Sequence, residues 1–368
     1  MNRLGNWVLG LVGRKPRREE ILRATRGAAT HVIILDGTMS SLEEGQETNA
    51  GLTFKLLKDS AGAGNITLYY EAGIQWSDWQ GTYGVMTGKG LNRQIQRAYG
   101  VLASRYHVGD RIILIGYSRG AYAVRSLAGV VDRVGLLRAE HATERNITQT
   151  YRHYRLGRRT ETTDKFRNLF CHDAVEIEAV AVWDTVKALG LRLPIIWRWA
   201  ETRHNFHNHA LGAQVRHGFH ALAIDETREA YAPVMWDADE GHHGTLLQVW
   251  FKGSHGDIGG QLGGVQRARS LGNIPLVWML EQLEGCGLHL PANWRSRFFC
   301  NPAAPSIGTW QGWSKLFLSR RRRIVGRNDT EYLHYTASGH KLGAGLPIWK
   351  PAPVVPAVKR RSEAAPSE

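Results

Sequence analysis

The sequence predicts an α/β fold in which a mostly parallel sheet is flanked by helices on both faces. Short apolar runs rich in β-branched residues alternate with segments whose apolar residues recur at helical spacing. Each of these runs ends in a polar turn. Strands that alternate with helices pair in parallel, and ligands bind beyond the carboxyl ends of such strands. We therefore expect the polar residues that follow the strands to meet at one edge of the sheet.

The predicted elements follow a basic leader that covers residues 1–30. Apolar positions at helical spacing indicate a helix that begins near residue 90 and leads into the central strand. Four of the predicted strands are followed by side chains that can carry chemistry, namely Asp36, Ser118, Asp184 and His255. The predicted strands cover residues 31–35, 66–70, 112–115, 177–182 and 247–251.

The segment over residues 111–129 is the most informative part of the chain. Its strand is followed by Gly-Tyr-Ser-Arg-Gly and then by a helix rich in small residues. This order is typical of a nucleophile elbow, in which Ser118 lies on a sharp strand-to-helix turn with its hydroxyl exposed. Gly116 and Gly120 are expected to support the site, because a Cβ at either position would collide with the backbone of the turn. The elbow makes the predicted fold α/β-hydrolase-like.

A serine hydroxyl is a weak nucleophile, so it needs an imidazole base that a carboxylate orients. In α/β-hydrolases these groups follow one another along the chain as serine, then acid, then histidine. Ser118, Asp184 and His255 have this order, and each follows a predicted strand. They are the predicted catalytic residues. Asp225 is the alternative acid, and with Glu226 and Arg228 it is otherwise expected to form a structural ion cluster near the site.

Backbone N–H groups near Ser118 are the candidates for an oxyanion hole. The N–H of Arg119, the residue after the nucleophile, is expected to act with an N–H from the turn formed by Gly37 and Thr38. Asp36 begins this turn. Its carboxylate either braces the loops around the elbow by accepting N–H bonds or caps the turn locally, and we favour bracing.

Asp257 lies two residues after His255 and is assigned a supporting role in the site. The pair has two interpretations, because a His-x-Asp sequence can bind a cation and an aspartate there can also cap a helix. We favour the cap. The histidines at 204, 207 and 209 lack a carboxylate or cysteine at ligand spacing. We therefore predict no metal and no organic cofactor.

The charge of the chain favours anionic partners. The net charge is +14, and part of it is concentrated in residues 320–323 and 359–361. Nothing in the sequence resembles a module that reads bases, so no nucleic acid is expected. We favour an anionic lipid surface, with peripheral membrane contact through the basic segments. Residues 314–330 are a candidate docking segment.

The cysteines and the N-terminus predict where the protein is made. The chain has 3 widely spaced cysteines, which argues against a disulfide framework and fits a reducing cytoplasm. The short apolar stretch over residues 6–13 precedes basic residues, which is the reverse of a signal peptide. We expect a protein made in a reducing cytoplasm, and this is compatible with export that uses no signal peptide.

The chain divides into four predicted parts. The leader over residues 1–30 precedes a catalytic domain over residues 31–290. Cap insertions are expected near residues 138–172 and 191–216, because insertions at the strand ends commonly form lids. An irregular extension over residues 291–350 and a disordered tail over residues 351–368 follow the domain.

Four ordered blocks of sequence resemble the catalytic domain of the class-1 type VI secretion lipase effectors and their many uncharacterised bacterial relatives. The resemblance covers roughly residues 31–280, and the ordered set is more specific than any single block. The chain departs from the family pattern at Met39-Ser40, at residues 71–73 and at Gln261-Leu262. The blocks are Asp36-Gly37-Thr38, residues 116–122 (GYSRGAY), residues 182–186 (VWDTV) and residues 250–260 (WFKGSHGDIGG).

The resemblance implies an α/β-hydrolase with a triad that maps onto Ser118, Asp184 and His255. Family members studied as effectors are phospholipases that cleave acyl esters of bacterial membrane lipids, so a phospholipid is the expected substrate. Two alternatives stay open: a hydrolase of small soluble esters or thioesters, and a scaffold without activity that binds anionic lipid or a protein. An immunity or secretion partner is not identified by the sequence.

Overall fold

A computed structural model describes residues 17–21, 27–60, 65–73, 89–186, 211–237, 244–310 and 317–351 of the chain. Its strands are β1 (Arg18–Ile21), β2 (Thr30–Leu35), β3 (Ile66–Glu71), β4 (Arg111–Tyr117), β5 (Ile177–Trp183), β6 (Val215–Ala223), β7 (Thr245–Phe251), β8 (Glu331–His334) and β9 (Ile348–Trp349). Its α-helices are α1 (Asn49–Ser60), α2 (Lys89–Ala103), α3 (Arg119–Arg133), α4 (Glu144–Arg155), α5 (Glu161–Phe170), α6 (His255–Gly259) and α7 (Arg269–Gly285).

All the strands form one sheet in the order β1-β3-β2-β4-β5-β6-β7-β8-β9. The edge strand β1 is antiparallel to β3, and every other pair is parallel. The centre of the sheet is formed by β2, β4 and β5, where Ile33 pairs with Leu114 and Ile115 pairs with Ala181. The predicted α/β-hydrolase-like fold with a mostly parallel sheet is confirmed.

Helices cover both faces of the sheet, as predicted. Side chains alternate along a strand, so Val180 and Val182 enter one core cluster while Ala181 and Trp183 enter the other. The helices α1 and α7 pack on the face of Trp183, and α2, α3, α4 and α5 pack on the opposite face. Since both faces are buried, the central strands are apolar throughout. No helix in the described part of the chain is long and apolar enough to cross a membrane.

The predicted boundaries of the domain are corrected at both ends. Strand β1 lies within the residues interpreted as a leader, and β8 and β9 lie within the extension that was expected to be irregular. The buried carboxylate of Glu331 in β8 accepts a hydrogen bond from Trp250 Nε1 at 2.8 Å and from the backbone N–H groups of Gly326 and Arg327. The sheet therefore extends well beyond residue 290.

The first expected cap is also corrected. Residues 138–172 contain α4 and α5, where Ile147 packs against Gly100 of α2 and Tyr154 packs against Gly129 of α3. These contacts place both helices on a face of the sheet, and Gly129 lies near the end of α3 that is distant from Ser118. The second expected cap falls mostly on residues 187–210, outside the described residues. The same holds for the histidines at 204, 207 and 209, for residues 6–13 and for the tail after residue 351.

Candidate active site

Ser118 occupies the turn between β4 and α3 in a backbone conformation that side chains rarely adopt. Its φ is 57° and its ψ is −117°. The strained conformation is held by three backbone hydrogen bonds: Ser118 N donates to Trp183 O at 3.0 Å, and Ser118 O accepts from Tyr122 N at 3.3 Å and from Val186 N at 3.4 Å. Ser118 is at the N-cap position of α3, yet its side chain makes no capping bond. The hydroxyl is therefore free to interact across the sheet edge.

The two glycines of the elbow are required by close backbone contacts. A Cβ on Gly116 would lie 2.7 Å from the backbone of Ala121, and a Cβ on Gly120 would overlap the carbonyl oxygens of Leu35 and Asp36. All of these neighbours are backbone atoms, which cannot move aside as a flexible side chain can. The steric role that the sequence predicts for Gly116 and Gly120 agrees with these contacts.

Replacing Gly120 by alanine is expected to lower the free energy of unfolding by about 3 kcal/mol, because the new methyl group forces β2 away from α3. Urea unfolding followed by circular dichroism measures this change. Gly285→Ala is the matched control, since a Cβ on Gly285 has open space around it, and it should be neutral or slightly stabilising. Equal midpoints for the two variants would contradict the prediction.

Ser118, His255 and Asp184 form a continuous hydrogen-bonded chain. Ser118 Oγ lies 2.8 Å from His255 Nε2, and His255 Nδ1 lies 2.6 Å from Asp184 Oδ2. Ser118 follows β4, Asp184 follows β5 with a φ of 41°, and His255 begins α6 after β7. The strands end at the same sheet edge, so residues separated by up to 137 positions meet there. All three side chains are largely buried.

His255 is enclosed by two aromatic rings. The ring of Tyr231 lies 4.7 Å from the imidazole and the ring of Tyr117 lies 5.0 Å from it. The backbone N–H of His255 donates to Glu226 Oε2 at 3.1 Å. Burial lowers the pKa of His255 below 6.5, although Asp184 acts to raise it. The imidazole is therefore neutral at neutral pH, which is the state that a general base requires.

A residue that the sequence reasoning missed lies behind Asp184. The guanidinium of Arg323 donates from Nη1 to Asp184 Oδ1 at 2.5 Å and from Nη2 to Asp184 Oδ2 at 2.8 Å. Burial acts to raise the pKa of Asp184, but the charge and hydrogen bonds of Arg323, together with His255, hold that pKa well below its usual value. The carboxylate of Asp184 is therefore ionised.

These contacts remove two arginines from the candidate docking segment over residues 314–330, of which the structure describes residues 317–330. Arg323 is buried against Asp184, and Arg320 donates to the carbonyl oxygens of Phe317 and Thr309. Arg321 and Arg322 are the exposed members of the run. A run of arginines reads as solvated surface in the sequence, so no local signal distinguished the buried member.

The alternative acid, Asp225, does not reach His255. Its carboxylate instead accepts a hydrogen bond from Gly253 N at 2.7 Å and lies 2.8 Å from His340 Nε2. The expected ion cluster is present in part, because Glu226 and Arg228 form a buried ion pair at 2.6 Å. Asp184 is therefore the aspartate placed to orient the histidine.

The carboxylate of Asp36 braces the loop beside the elbow, as we favoured. It accepts hydrogen bonds from Gly37 N at 2.6 Å, from Thr48 Oγ1 at 2.6 Å and from Tyr70 Oη at 2.7 Å. These donors come from the turn, from the residues before α1 and from β3. Burial raises the pKa of Asp36 to about 6, although each of these bonds acts to lower it.

The predicted oxyanion donors are only partly available. The N–H of Gly37 already donates to Asp36, so it is not free to bind an oxyanion, and Thr38 is left as the donor from this turn. The turn lies directly against the nucleophile, because a Cβ on Gly37 would be 3.4 Å from Ser118 Cβ. Gln261 Nε2 donates to Thr38 O at 2.9 Å and fixes the turn from the other side.

Asp257 is the N3 residue of a capping box at the start of α6, in which Ser254 is the N-cap. Its Oδ2 accepts from Ser254 N and from Ser254 Oγ, each at 2.8 Å, and its carboxylate also accepts from Ser306 Oγ and Ile307 N. This capping box holds the residue before His255 in place, so Asp257 supports the site through the backbone. Four protein donors therefore surround this carboxylate. The predicted cap is corrected in position, because Ser254 occupies the N-cap and Asp257 completes the capping box from N3.

A model of the family "T6SS, Phospholipase effector Tle1-like, catalytic domain" matches residues 30–282 of the chain. This match spans more than half of the chain and contains β2 to β7, the elbow and the three hydrogen-bonded residues. Arg323, β8 and β9 lie outside it.

Individual relatives are more distant. An uncharacterized protein of Saccharomyces cerevisiae is 26% identical over 223 residues, which cover 54% of this chain and 31% of the relative. The chain therefore spans less than a third of the length of that curated relative.

Solved structures show only low overall similarity. An uncharacterized protein from Pseudomonas aeruginosa matches with a TM-score of 0.41 and 15% identity over 74% of this chain and 49% of that one. A Tle1 effector bound to the VgrG spike of the type VI secretion system matches with a TM-score of 0.34 and 18% identity. The match covers 65% of this chain and 52% of that one. A thermophilic esterase of Thermogutta terrifontis matches with a TM-score of 0.38 and 11% identity. The match covers 77% of this chain and 97% of that one. The fold assignment rests on the strand order and the elbow.

Proposed function

The chain belongs to the family of T6SS phospholipase effector Tle1-like catalytic domains, and from this premise we propose that it is a serine hydrolase of phospholipid acyl esters. The observation that carries the proposal is the continuous hydrogen-bonded chain from Ser118 through His255 to Asp184. A scaffold without activity has no need for a serine on a strained turn, aligned with a neutral buried imidazole. We therefore favour the enzyme over the scaffold.

The proposed reaction proceeds through an acyl-enzyme. Ser118 Oγ attacks the ester carbonyl while His255 Nε2 takes the hydroxyl proton, and the resulting oxyanion is bound by the N–H groups of Arg119 and Thr38. His255 then gives the proton to the departing alcohol, and the C–O bond to the alcohol breaks. A water molecule attacks the acyl-enzyme in the same way and releases the fatty acid. Asp184 holds the Nδ1 proton of His255 throughout and stabilises the imidazolium.

No metal or organic cofactor takes part in the proposed reaction. Among the described residues, Glu178, His217 and Cys286 form a cluster with metal-ligand chemistry. Glu178 and His217 lie near the starts of β5 and β6, at the end of the strands opposite Ser118. Arg216 Nη1 lies 3.7 Å from Glu178, and a cation would have to compete with this guanidinium.

Product analysis by mass spectrometry tests the substrate class. The protein and its Ser118→Ala variant are incubated with liposomes of mixed bacterial phospholipids, one set anionic and one set zwitterionic. Fatty acid and lysolipid released by the wild type alone support the phospholipase and identify the acyl position. Hydrolysis of soluble esters or thioesters without lipid products would favour the alternative.

Faster hydrolysis on anionic liposomes, lost at high salt, would support peripheral contact through the exposed Arg321 and Arg322.

The pH profile is expected to reflect the lowered pKa of His255. Burial favours the neutral imidazole, so the base stays unprotonated as the pH falls through 6.5, and kcat/KM falls only below that value. Initial rates on a soluble ester over about pH 4 to 9 measure the midpoint of the acid limb. A midpoint above 6.5 would mean that Asp184 outweighs burial in setting the pKa of His255.

We also propose that the protein is made in a reducing cytoplasm. Cys171 is buried, Cys286 is half-buried and Cys300 is exposed, and all three are free thiols.

A further inference from the structure

Arg323 makes more hydrogen bonds than an ion pair with Asp184 requires. Its Nη1 donates to Ala223 O at 2.8 Å and its Nη2 donates to Tyr231 O at 2.7 Å, in addition to the two bonds to Asp184. The side chain of Arg323 is 3% exposed and that of Asp184 is fully buried. A planar guanidinium can fill both oxygens of a carboxylate and two carbonyls at once, which an ammonium cannot do. The geometry is that of a fixed clamp.

The clamp determines which way the carboxylate of Asp184 faces. Its Oδ1 accepts from Arg323 Nη1 and from Ala223 N at 3.0 Å, and its Oδ2 accepts from Arg323 Nη2 and from His255 Nδ1. Each oxygen therefore has two donors, and a rotation of the carboxylate would break several bonds together. The bond to His255 depends on this orientation.

The segment that carries Arg323 is held against the catalytic core by backbone hydrogen bonds. Glu229 N donates to Ser319 O at 3.1 Å, and Arg321 N donates to Thr227 O at 2.7 Å. Thr227 and Glu229 follow Glu226, whose carboxylate accepts from the backbone of His255. The segment is outside residues 30–282, so the part of the chain that the family model matches does not contain this contact to the triad.

We propose that Arg323 is a positioning residue that holds Asp184 ionised and oriented, so that His255 keeps its proton on Nδ1 and is neutral. This inference rests on the proposed function, since it concerns the same triad. It makes the segment around Arg323 part of the active site.

One consequence of this role is a shift in the pH profile that a purely structural role would not produce. The cation on the far side of Asp184 shares its negative charge, so His255 binds a proton less readily than it would beside an unshared carboxylate. Loss of the cation should therefore move the acid limb of the pH profile upward. Other charged and titratable groups lie around Asp184 and His255, namely His220, Glu226, Arg228, Tyr117 and Tyr231. None of them can replace the guanidinium of Arg323 at Asp184.

The test compares Arg323→Gln, Arg323→Lys and the control Arg158→Ala, which changes an exposed arginine that has no role in the proposed site or lipid contact. On a soluble ester, Arg323→Gln should lower kcat about 100-fold with little change in KM, and shift the acid limb upward by about one pH unit. Arg323→Lys keeps the charge and should leave the limb near its wild-type position, with kcat lowered about 10-fold. Arg158→Ala should match the wild type. Wild-type kcat and an unchanged limb in Arg323→Gln would overturn the inference.

A second measurement keeps the test independent of folding and of substrate. The pKa of His255 is followed by NMR titration of its imidazole in the wild type and in each variant that shows native circular dichroism. If Arg323→Gln does not fold, the test rests on kcat and KM of Arg323→Lys compared with those of the wild type. An unchanged kcat in Arg323→Lys then overturns the inference. If the wild type cleaves no ester, the proposed function fails. An upward shift of the titration would still support the clamp, and an unshifted titration would overturn it.

Discussion

Replacing Ser118 by alanine is expected to lower kcat for ester hydrolysis by about 10⁶-fold, because no acyl-enzyme can form without the hydroxyl. The hydroxyl makes no capping bond to α3, and its contact is with His255 Nε2. Its loss should therefore leave the free energy of unfolding within about 0.5 kcal/mol of the wild type. Initial rates and urea unfolding of the purified variant measure the two quantities.

The matched control for this variant is Ser104→Ala. Ser104 is exposed after α2 and its hydroxyl donates to Val101 O, so removal of this hydroxyl should change neither rate nor stability. A fluorophosphonate probe should label the wild type and Ser104→Ala and should not label Ser118→Ala. Labelling that persists in Ser118→Ala, or hydrolysis above about one hundredth of the wild-type rate, would place the nucleophile elsewhere.

Replacing Asp184 by asparagine is expected to lower kcat by about 10⁴-fold, since an amide no longer fixes the Nδ1 proton of His255. It should also lower the free energy of unfolding by about 3–5 kcal/mol, because the buried charge of Arg323 loses its partner. Kinetics and urea unfolding report these losses separately. Asp225→Asn is the control, and it should keep nearly full activity because Asp225 bonds to Gly253 and His340.

The double variant Asp184→Asn/Arg323→Met distinguishes the two effects of this substitution. Removing both charges takes away the unpaired guanidinium, so most of the lost stability should return. Activity should stay as low as in Asp184→Asn, because the histidine still lacks its carboxylate. An active double variant, or an active Asp184→Asn, would show that His255 works without this acid.

The sequence-based interpretation was most accurate at the ends of the strands. A parallel sheet brings the carboxyl ends of its strands to one edge, so residues that follow separate strands could be grouped before their distances were known. Ser118, Asp184 and His255 were grouped in this way, and they lie within hydrogen-bond distance of one another. Their catalytic roles stay predictions until the variants are measured. The family resemblance and the fold are confirmed.

The predicted boundaries failed where an element is short and depends on a distant partner. Strand β8 has 4 residues and β9 has 2, and such lengths carry no clear periodic pattern. Strand β8 forms because it pairs with β7 and because the side chain of Trp250 in β7 donates a hydrogen bond to the carboxylate of Glu331 in β8. An insertion at the strand ends predicts a cap over residues 138–172, but Tyr151, Tyr154 and Phe166 pack into the core instead.

The sequence by itself determined the type of fold, the elbow and the placement of polar residues after the strands, because each depends on a local pattern of spacing, turn chemistry or strand ends. Only the tertiary structure decided which aspartate faces His255, which N–H of the Gly37-Thr38 turn is free, and which arginine of the 320–323 run is buried. Arg323 and Asp184 are 139 residues apart. The physical reason is that a charge is buried only where the fold supplies its partner, and a partner this distant leaves no trace in the residues around it.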